Sequence, residues 1–187
     1  MRILGIDPGL NITGMGIVEV DGDRCRHLYH GVLRTKPAAP LAERLVIIRD
    51  GVRDLALQFA IADAAVETSF VANNARSAMI LGHARAAAIV GLADAGVAVH
   101  EYAPNLVKQT VTGYGHGEKA QVGEMVRMQL ELKTTPTPAD AADALAIAIT
   151  HWAHARIANR LQPASHRPSP GVHRVSLPSP APPPGRP

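Results

Sequence analysis

Short apolar runs bounded by turn residues open the chain, and longer stretches at helical spacing follow. Residues 2–7, 12–20 and 26–34 read as strands, separated by Pro8-Gly9 and by Asp21-Gly22-Asp23. The second connection is hairpin-like, so the three strands are expected to form an antiparallel meander. Leu41, Leu45, Ile48 and Val52 then recur at helical spacing and predict a helix from Ala42 to Phe59. Beyond it the pattern predicts a strand at 62–67, a helix at 74–94, a strand at 97–102, and helices near 104–111, 119–131 and 138–160. Strand-helix-strand units imply parallel pairing with right-handed crossovers. The expected body is a mixed α/β sheet with helices on both faces.

The helix from Asn74 to Asp94 departs from the usual one-sided pattern. Ala86 to Ala93 is apolar all round for two turns, whereas a surface helix keeps a polar face. One side can pack on the sheet and the other needs a second cover. That cover is either a second copy of the chain or another helix of the same chain.

Composition adds boundaries. Nine of the fifteen prolines lie between Pro163 and Pro187, among almost no large apolar residues. Such a segment cannot bury enough surface to offset its ordering entropy. A single folded domain over residues 1–161 and a disordered, proline-rich basic tail over 162–187 are therefore expected. The tail holds Arg167, Arg174 and Arg186 and no acid; without it the body carries 16 basic and 16 acidic residues. Any basic surface must come from placement. The single cysteine, Cys25, fits a reducing compartment. With no signal peptide or membrane-spanning run expected, a cytoplasmic protein is the reading.

Candidate chemistry gathers in four carboxylates. Asp7 ends the first apolar strand and Glu67 ends the strand over 62–67. In parallel strands, ligands bind beyond the carboxyl ends. Neighbouring strands lie about 4.8 Å apart, close enough for both side chains to share a cation. Asp140 and Asp143 stand three apart at the start of an alanine-rich helix, on nearly one face. Thr137-Pro138-Ala139-Asp140 also reads as an N-cap, a proline at the first helical position and a capping-box acid. Capping does not explain Asp143. Like charges about 4 Å apart repel by roughly 4 kcal/mol at a protein-like dielectric, so four together imply bound cations. Carboxylates without His or Cys select Mg²⁺ or Mn²⁺ over zinc, and a two-cation carboxylate site suits phosphodiester hydrolysis.

Other residues could serve a nucleic-acid partner. Phe70 lies in a polar loop after Glu67, where it could stack on an unpaired base or pack over the next helix. Lys108 and Lys119 flank the glycine-rich segment Thr112-Gly113-Tyr114-Gly115-His116-Gly117, and Lys119 opens a helix against the macrodipole. His151 and His154, one turn apart, read as a solvated helix face rather than as ligands.

The ordered set of motifs resembles the RuvC family of bacterial Holliday-junction resolvases, within the ribonuclease H-like superfamily. The matching elements are Gly5-Ile6-Asp7-Pro8-Gly9 with Thr13-Gly14, Val66-Glu67-Thr68-Ser69-Phe70, and Asn74-Ala75 to Gly82-His83-Ala84-Arg85. They continue with Tyr102-Ala103-Pro104, Val107-Lys108, Thr112-Gly113-Tyr114-Gly115, Glu118 to Val122, and Ala139-Asp140-Ala141-Ala142-Asp143-Ala144. The resemblance runs from Met1 to about Ala155. It implies a ribonuclease H-like mixed five-stranded sheet and a homodimer that makes paired symmetric nicks across a four-way junction, leaving ligatable 5′-phosphates. It implies Asp7, Glu67, Asp140 and Asp143 as catalytic ligands of two Mg²⁺ or Mn²⁺ ions, Lys119 as a catalytic residue, and Phe70, Lys108 and Lys119 as DNA contacts. The implied partners are four-way junction DNA and the branch-migration proteins RuvA and RuvB. The tail has no counterpart in the family pattern. Three rivals share parts of these features: an actin-like phosphotransferase, for which the chain has no room for a second half; a non-catalytic junction-binding module; and a ribonuclease H-like nuclease of another specificity.

Overall fold

The computed structural model describes residues 1–68, 75–113 and 119–161, with the side chains of 119, 120 and 159–161 outside the description. The tail expected to be disordered lies outside the described residues. The first three strands, β1 (Arg2–Asp7), β2 (Ile12–Asp21) and β3 (Arg24–Arg34), form the expected antiparallel meander. The β2–β3 turn is a two-residue hairpin closed by the Asp21–Arg24 pair, with Gly22 at φ +56°. Positive φ suits a glycine in such a turn. After helix α1 (Leu41–Gln58), strand β4 (Asp63–Glu67) pairs parallel with β1. Helix α2 (Ala75–Asp94) returns to β5 (Ala98–Tyr102), parallel to β4. The sheet order is β3-β2-β1-β4-β5. Helices α3 (Pro104–Thr112), α4 (Lys119–Gln129) and α5 (Ala139–Leu161) complete the described chain.

Alternation along each strand divides the core into two layers. Leu4 and Ile6 of β1 and Ala64 and Val66 of β4 face α1 and α2, meeting Ile48, Val52, Ala84, Ala88 and Leu92. Ile3, Val18, Val20 and Ala65 face the other way, toward α5 with Val107 and Val111 of α3 and Val122 and Val126 of α4. From Ala141 to Thr150, α5 is buried at every position except Asp143. It is a central helix between the sheet and two outer helices.

Small residues set how closely α5 approaches. Gly5, Gly14 and Gly16 lie on the α5 side of the β1–β2 pair, with Gly5 opposite Gly16 and Asp7 opposite Gly14. A Cβ on Gly5 would fall 2.0 Å from the carbonyl oxygen of Ala144, and one on Gly14 would fall 2.0 Å from that of Asp140. A Cβ on Gly16 would lie 2.6 Å from the backbone nitrogen of Leu145. The glycines form a trough into which the backbone of α5 settles.

Local details depart from the sequence pattern. Leu41 is exposed at the start of α1, so the buried stripe runs through Ile48, Val52 and Leu55 instead. Helix α5 begins at Ala139, one residue after Pro138, so Pro138 precedes the helix where the sequence suggested its first position. Asp140 remains in the first turn, where a carboxylate opposes the helix dipole favourably. On α2, Ala84, Ala88, Gly91 and Leu92 are buried, and the backbone of Arg49 on α1 touches the space a Gly91 Cβ would need. Val90, Met79 and Ile80 remain exposed. The all-round apolar helix is thus covered by the sheet and α1 on part of its circumference and uncovered on the rest.

The glycine trough makes a direct prediction. Gly5→Ala should destabilise the fold by about 1–3 kcal/mol, the cost of overpacking against a backbone that cannot yield. Gly82→Ala, on α2 with open space where its Cβ would go, should instead stabilise by up to about 1 kcal/mol. Urea unfolding of both variants checks the pair.

Candidate active site

The parallel β1–β4 pair places two acids side by side. Ile6 is registered with Val66, and Asp7 and Glu67 each follow as the last residue of their strand. Both side chains point to the α5 face, by alternation with Gly5 and Ala65. The turn after Asp7 is tied down locally. Thr13, fully buried, donates its hydroxyl to the Gly9 carbonyl at 2.8 Å, and a Cβ on Gly9 would strike the Ile12 carbonyl at 2.3 Å. Behind it, buried Arg44 donates from Nε to Thr35 Oγ1 at 2.8 Å and from its terminal nitrogen to Asn11 Oδ1. Thr35 in turn donates to the Leu10 carbonyl at 2.6 Å. A charged side chain held by these bonds fixes the loop that follows Asp7.

Helix α5 supplies the other two acids. Asp140 rests its backbone on Gly14, the residue opposite Asp7. Asp143 follows three residues later on nearly the same helix face. Asp7, Glu67 and Asp143 line one cleft of about 180 Å³ with Pro104, Val107 and Lys108 of α3 and Val122 of α4. Asp140 lies at the helix start beside this cleft. All four acids are half-buried. Among the described residues, no three of them bring oxygen atoms within 4.8 Å of one another. The donors are oxygen only, the set that suits a hard divalent cation.

The other sequence candidates divide. Lys108 lines the carboxylate cleft. Lys119 opens α4, but its side chain is outside the description, and Phe70 lies outside the described residues altogether. The segment 114–118 is outside them too. The solvated face expected at His151 is corrected: His151 is only 3% exposed, because α5 presses it against β4 and β5. There it meets Asp63 and His100, and these three form the one group of metal-capable side chains among the described residues with ligand atoms all within 4.8 Å. Asp63 and His100 drew no attention in the sequence. Their signal was the strand alternation that puts Asp63 with Glu67, and His100 with Tyr102, on one face; reading it needs the β4–β5 register, with Ala65 opposite His100.

Comparison with known proteins agrees with this fold. A family model described as crossover junction endodeoxyribonuclease RuvC matches residues 3–151. A crossover junction endodeoxyribonuclease RuvC from Rhodopseudomonas palustris is 48% identical over 162 residues, covering 87% of this chain and 92% of its own. The one from Maricaulis maris is 51% identical over 156 residues, covering 83% and 93%. The structure of Thermus thermophilus RuvC in complex with Holliday junction substrate superposes with a TM-score of 0.80 at 40% identity, over 84% of this chain and 96% of that one. Fold, ordered motifs and sustained identity across the whole described body converge, and the chain belongs to the RuvC family of crossover junction endodeoxyribonucleases.

Proposed function

We propose that this chain is a metal-dependent endonuclease that resolves four-way DNA junctions by paired symmetric nicks, leaving ligatable 5′-phosphate ends, in recombination and repair. The observation that carries the proposal is one cleft shared by Asp7, Glu67, Asp143 and Lys108, with Asp140 at its edge. In this reading Asp7, Glu67, Asp140 and Asp143 hold two Mg²⁺ or Mn²⁺ ions. Such ions, when bound, activate water and stabilise the leaving oxygen of an in-line displacement. The protein's share is positional. Two rigid strand ends hold Asp7 and Glu67, and the glycine trough sets the height of Asp140 and Asp143 above them.

The cations of the chain act on the nucleic acid. Lys108 offers its ammonium at the cleft wall and neutralises a phosphate beside the acids. Lys119 stands three residues before Val122, which lines the same cleft, and it offsets charge developing on the phosphate in the transition state. Phe70 stacks on a base at the point of strand exchange. The family resemblance supports these last two roles and the partnership with RuvA and RuvB.

Two nicks related by two-fold symmetry need two active sites related by the same symmetry. The uncovered face of α2 supports a homodimer built there. Ala86 and Val90 of α2 and Leu45 and Val46 of α1 line an apolar groove of about 260 Å³, and Val90 is 48% exposed. No described helix is long and apolar enough to cross a membrane; action on DNA is what assigns the proposed activity to the cytoplasm.

Three outcomes test the reading. Asp7→Asn should abolish cleavage of a four-way junction and leave binding intact; loss of both together would assign Asp7 to structure or binding. Lys108→Ala should weaken junction binding at every sequence and lower the slope of log affinity against log salt by about one. Val90→Glu should shift the protein to monomer in sedimentation and uncouple the two nicks, with the melting midpoint falling to a value that no longer depends on protein concentration.

A further inference from the structure

The α5 face of the sheet carries a second group of ligand-bearing side chains away from the carboxylate cleft. Asp63 opens β4, His100 sits at the middle of β5, and His151 lies on α5 about two turns beyond Asp143. The four residues from Asp63 to Glu67 span about 13 Å of strand. The eight from Asp143 to His151 span about 12 Å of helix. The two groups are therefore separate sites.

Asp63 faces both imidazoles. Its Oδ1 is 3.7 Å from His100 Nε2, and its Oδ2 is 3.7 Å from His151 Nε2. The two rings lie 4.3 Å apart between centroids, tilted by 30°, and both turn Nε2 toward the carboxylate. A separation of 3.7 Å is too long for a hydrogen bond. His151 Nε2 is accordingly buried with no hydrogen-bond partner, on a side chain 4% exposed. Buried ring nitrogens are normally satisfied, and leaving one unmet is costly. Its other nitrogen, Nδ1, is engaged by the Tyr102 hydroxyl at 2.9 Å. That is the arrangement of a metal-binding histidine: one nitrogen anchored by a neighbour, the other presented to the ion.

We infer that Asp63, His100 and His151 form a second divalent-metal site for a nitrogen-seeking ion, Zn²⁺ foremost, with Tyr102 as the positioning residue for His151. In a tetrahedral zinc site with bonds of about 2.0–2.1 Å, neighbouring ligand atoms lie about 3.3 Å apart. With one ligand atom from each side chain the three lie within 4.8 Å of one another, so closing on an ion draws them in by at most about 1.5 Å, a movement open to the partly exposed Asp63 and His100 side chains. His100 and Asp63 have side chains 44% and 27% exposed, so the outward side is open to water as a fourth ligand. Donor chemistry separates this site from the carboxylate cleft: nitrogen ligands favour Zn²⁺, oxygen alone favours Mg²⁺. Bound there, the ion pins α5 to β4 and β5 at the end remote from Asp140 and Asp143. Its occupancy steadies the helix that carries two of the four cleft acids.

The test is Zn²⁺ titration of the metal-stripped full chain in excess Mg²⁺, followed by calorimetry and by thermal melting. The expected result is one tight Zn²⁺ per chain and a higher melting midpoint. His100→Gln and Asp63→Asn, at partly exposed positions, should each abolish the tight binding, and Tyr102→Phe should weaken it about tenfold. Asp7→Asn should leave it unchanged. Absence of stoichiometric Zn²⁺ binding, binding indifferent to both His100→Gln and Asp63→Asn, or binding lost on Asp7→Asn would each overturn the inference. The readouts do not depend on cleavage, so failure here leaves the nuclease reading untouched, and the converse holds.

Discussion

The close approach of α5 to the β1–β2 pair is the constraint on which the site depends. Helix and sheet backbones normally stand off by the thickness of their side chains. Here Gly5, Gly14 and Gly16 remove that thickness on the sheet, and Ala144 and Ala148 reduce it on the helix, so backbone meets backbone. The first turn of α5 is thereby brought down onto Gly14, across the ladder from Asp7. A methyl group at any of the three glycines would lift the helix and, with it, two of the four carboxylates.

The sheet order does the remaining work. β1 lies at the centre, antiparallel to β2 on one side and parallel to β4 on the other. The parallel pair sends Asp7 and Glu67 out of the same edge, and the antiparallel pair sets Gly14 beside Asp7. Gathering acids there opposes folding stability, since each added carboxylate repels the others. The surrounding structure compensates with apolar burial: α5 is buried along nearly its whole central length, and Thr13 and Arg44 hold the loop after Asp7 by hydrogen bonds that leave little local freedom. Polar strain at a functional edge rests on a core that is over-determined elsewhere.

Much of this was legible in the chain. Strand and helix periods located every described element to within a residue or two, because each strand is bounded by turn residues and the longer segments between them keep helical spacing. The strand-end positions of Asp7 and Glu67 and the three-residue spacing of Asp140 and Asp143 needed no register to be read. The cluster of Asp63, His100 and His151 did need it. His151 in a helical pattern looks like any polar residue, and only the pairing of β4 with β5 reveals that a carboxylate and a second imidazole lie beneath it. The start of α5 was misplaced by one residue because Thr137-Pro138 fits a helix entrance on composition alone, and the backbone enters the helix after the proline instead. For α2, composition showed an apolar circumference but could not apportion it; packing against α1 through Gly91 settles which part is internal.

The most direct measurement is cleavage of a synthetic mobile four-way junction in Mg²⁺ or Mn²⁺, beside linear duplex and RNA–DNA hybrid. Paired, symmetric nicks confined to the junction and dependent on the added cation are the predicted result. Junction binding without nicks in either cation, or preferential cutting of the hybrid, would contradict a junction-resolving nuclease built on Asp7, Glu67, Asp140 and Asp143.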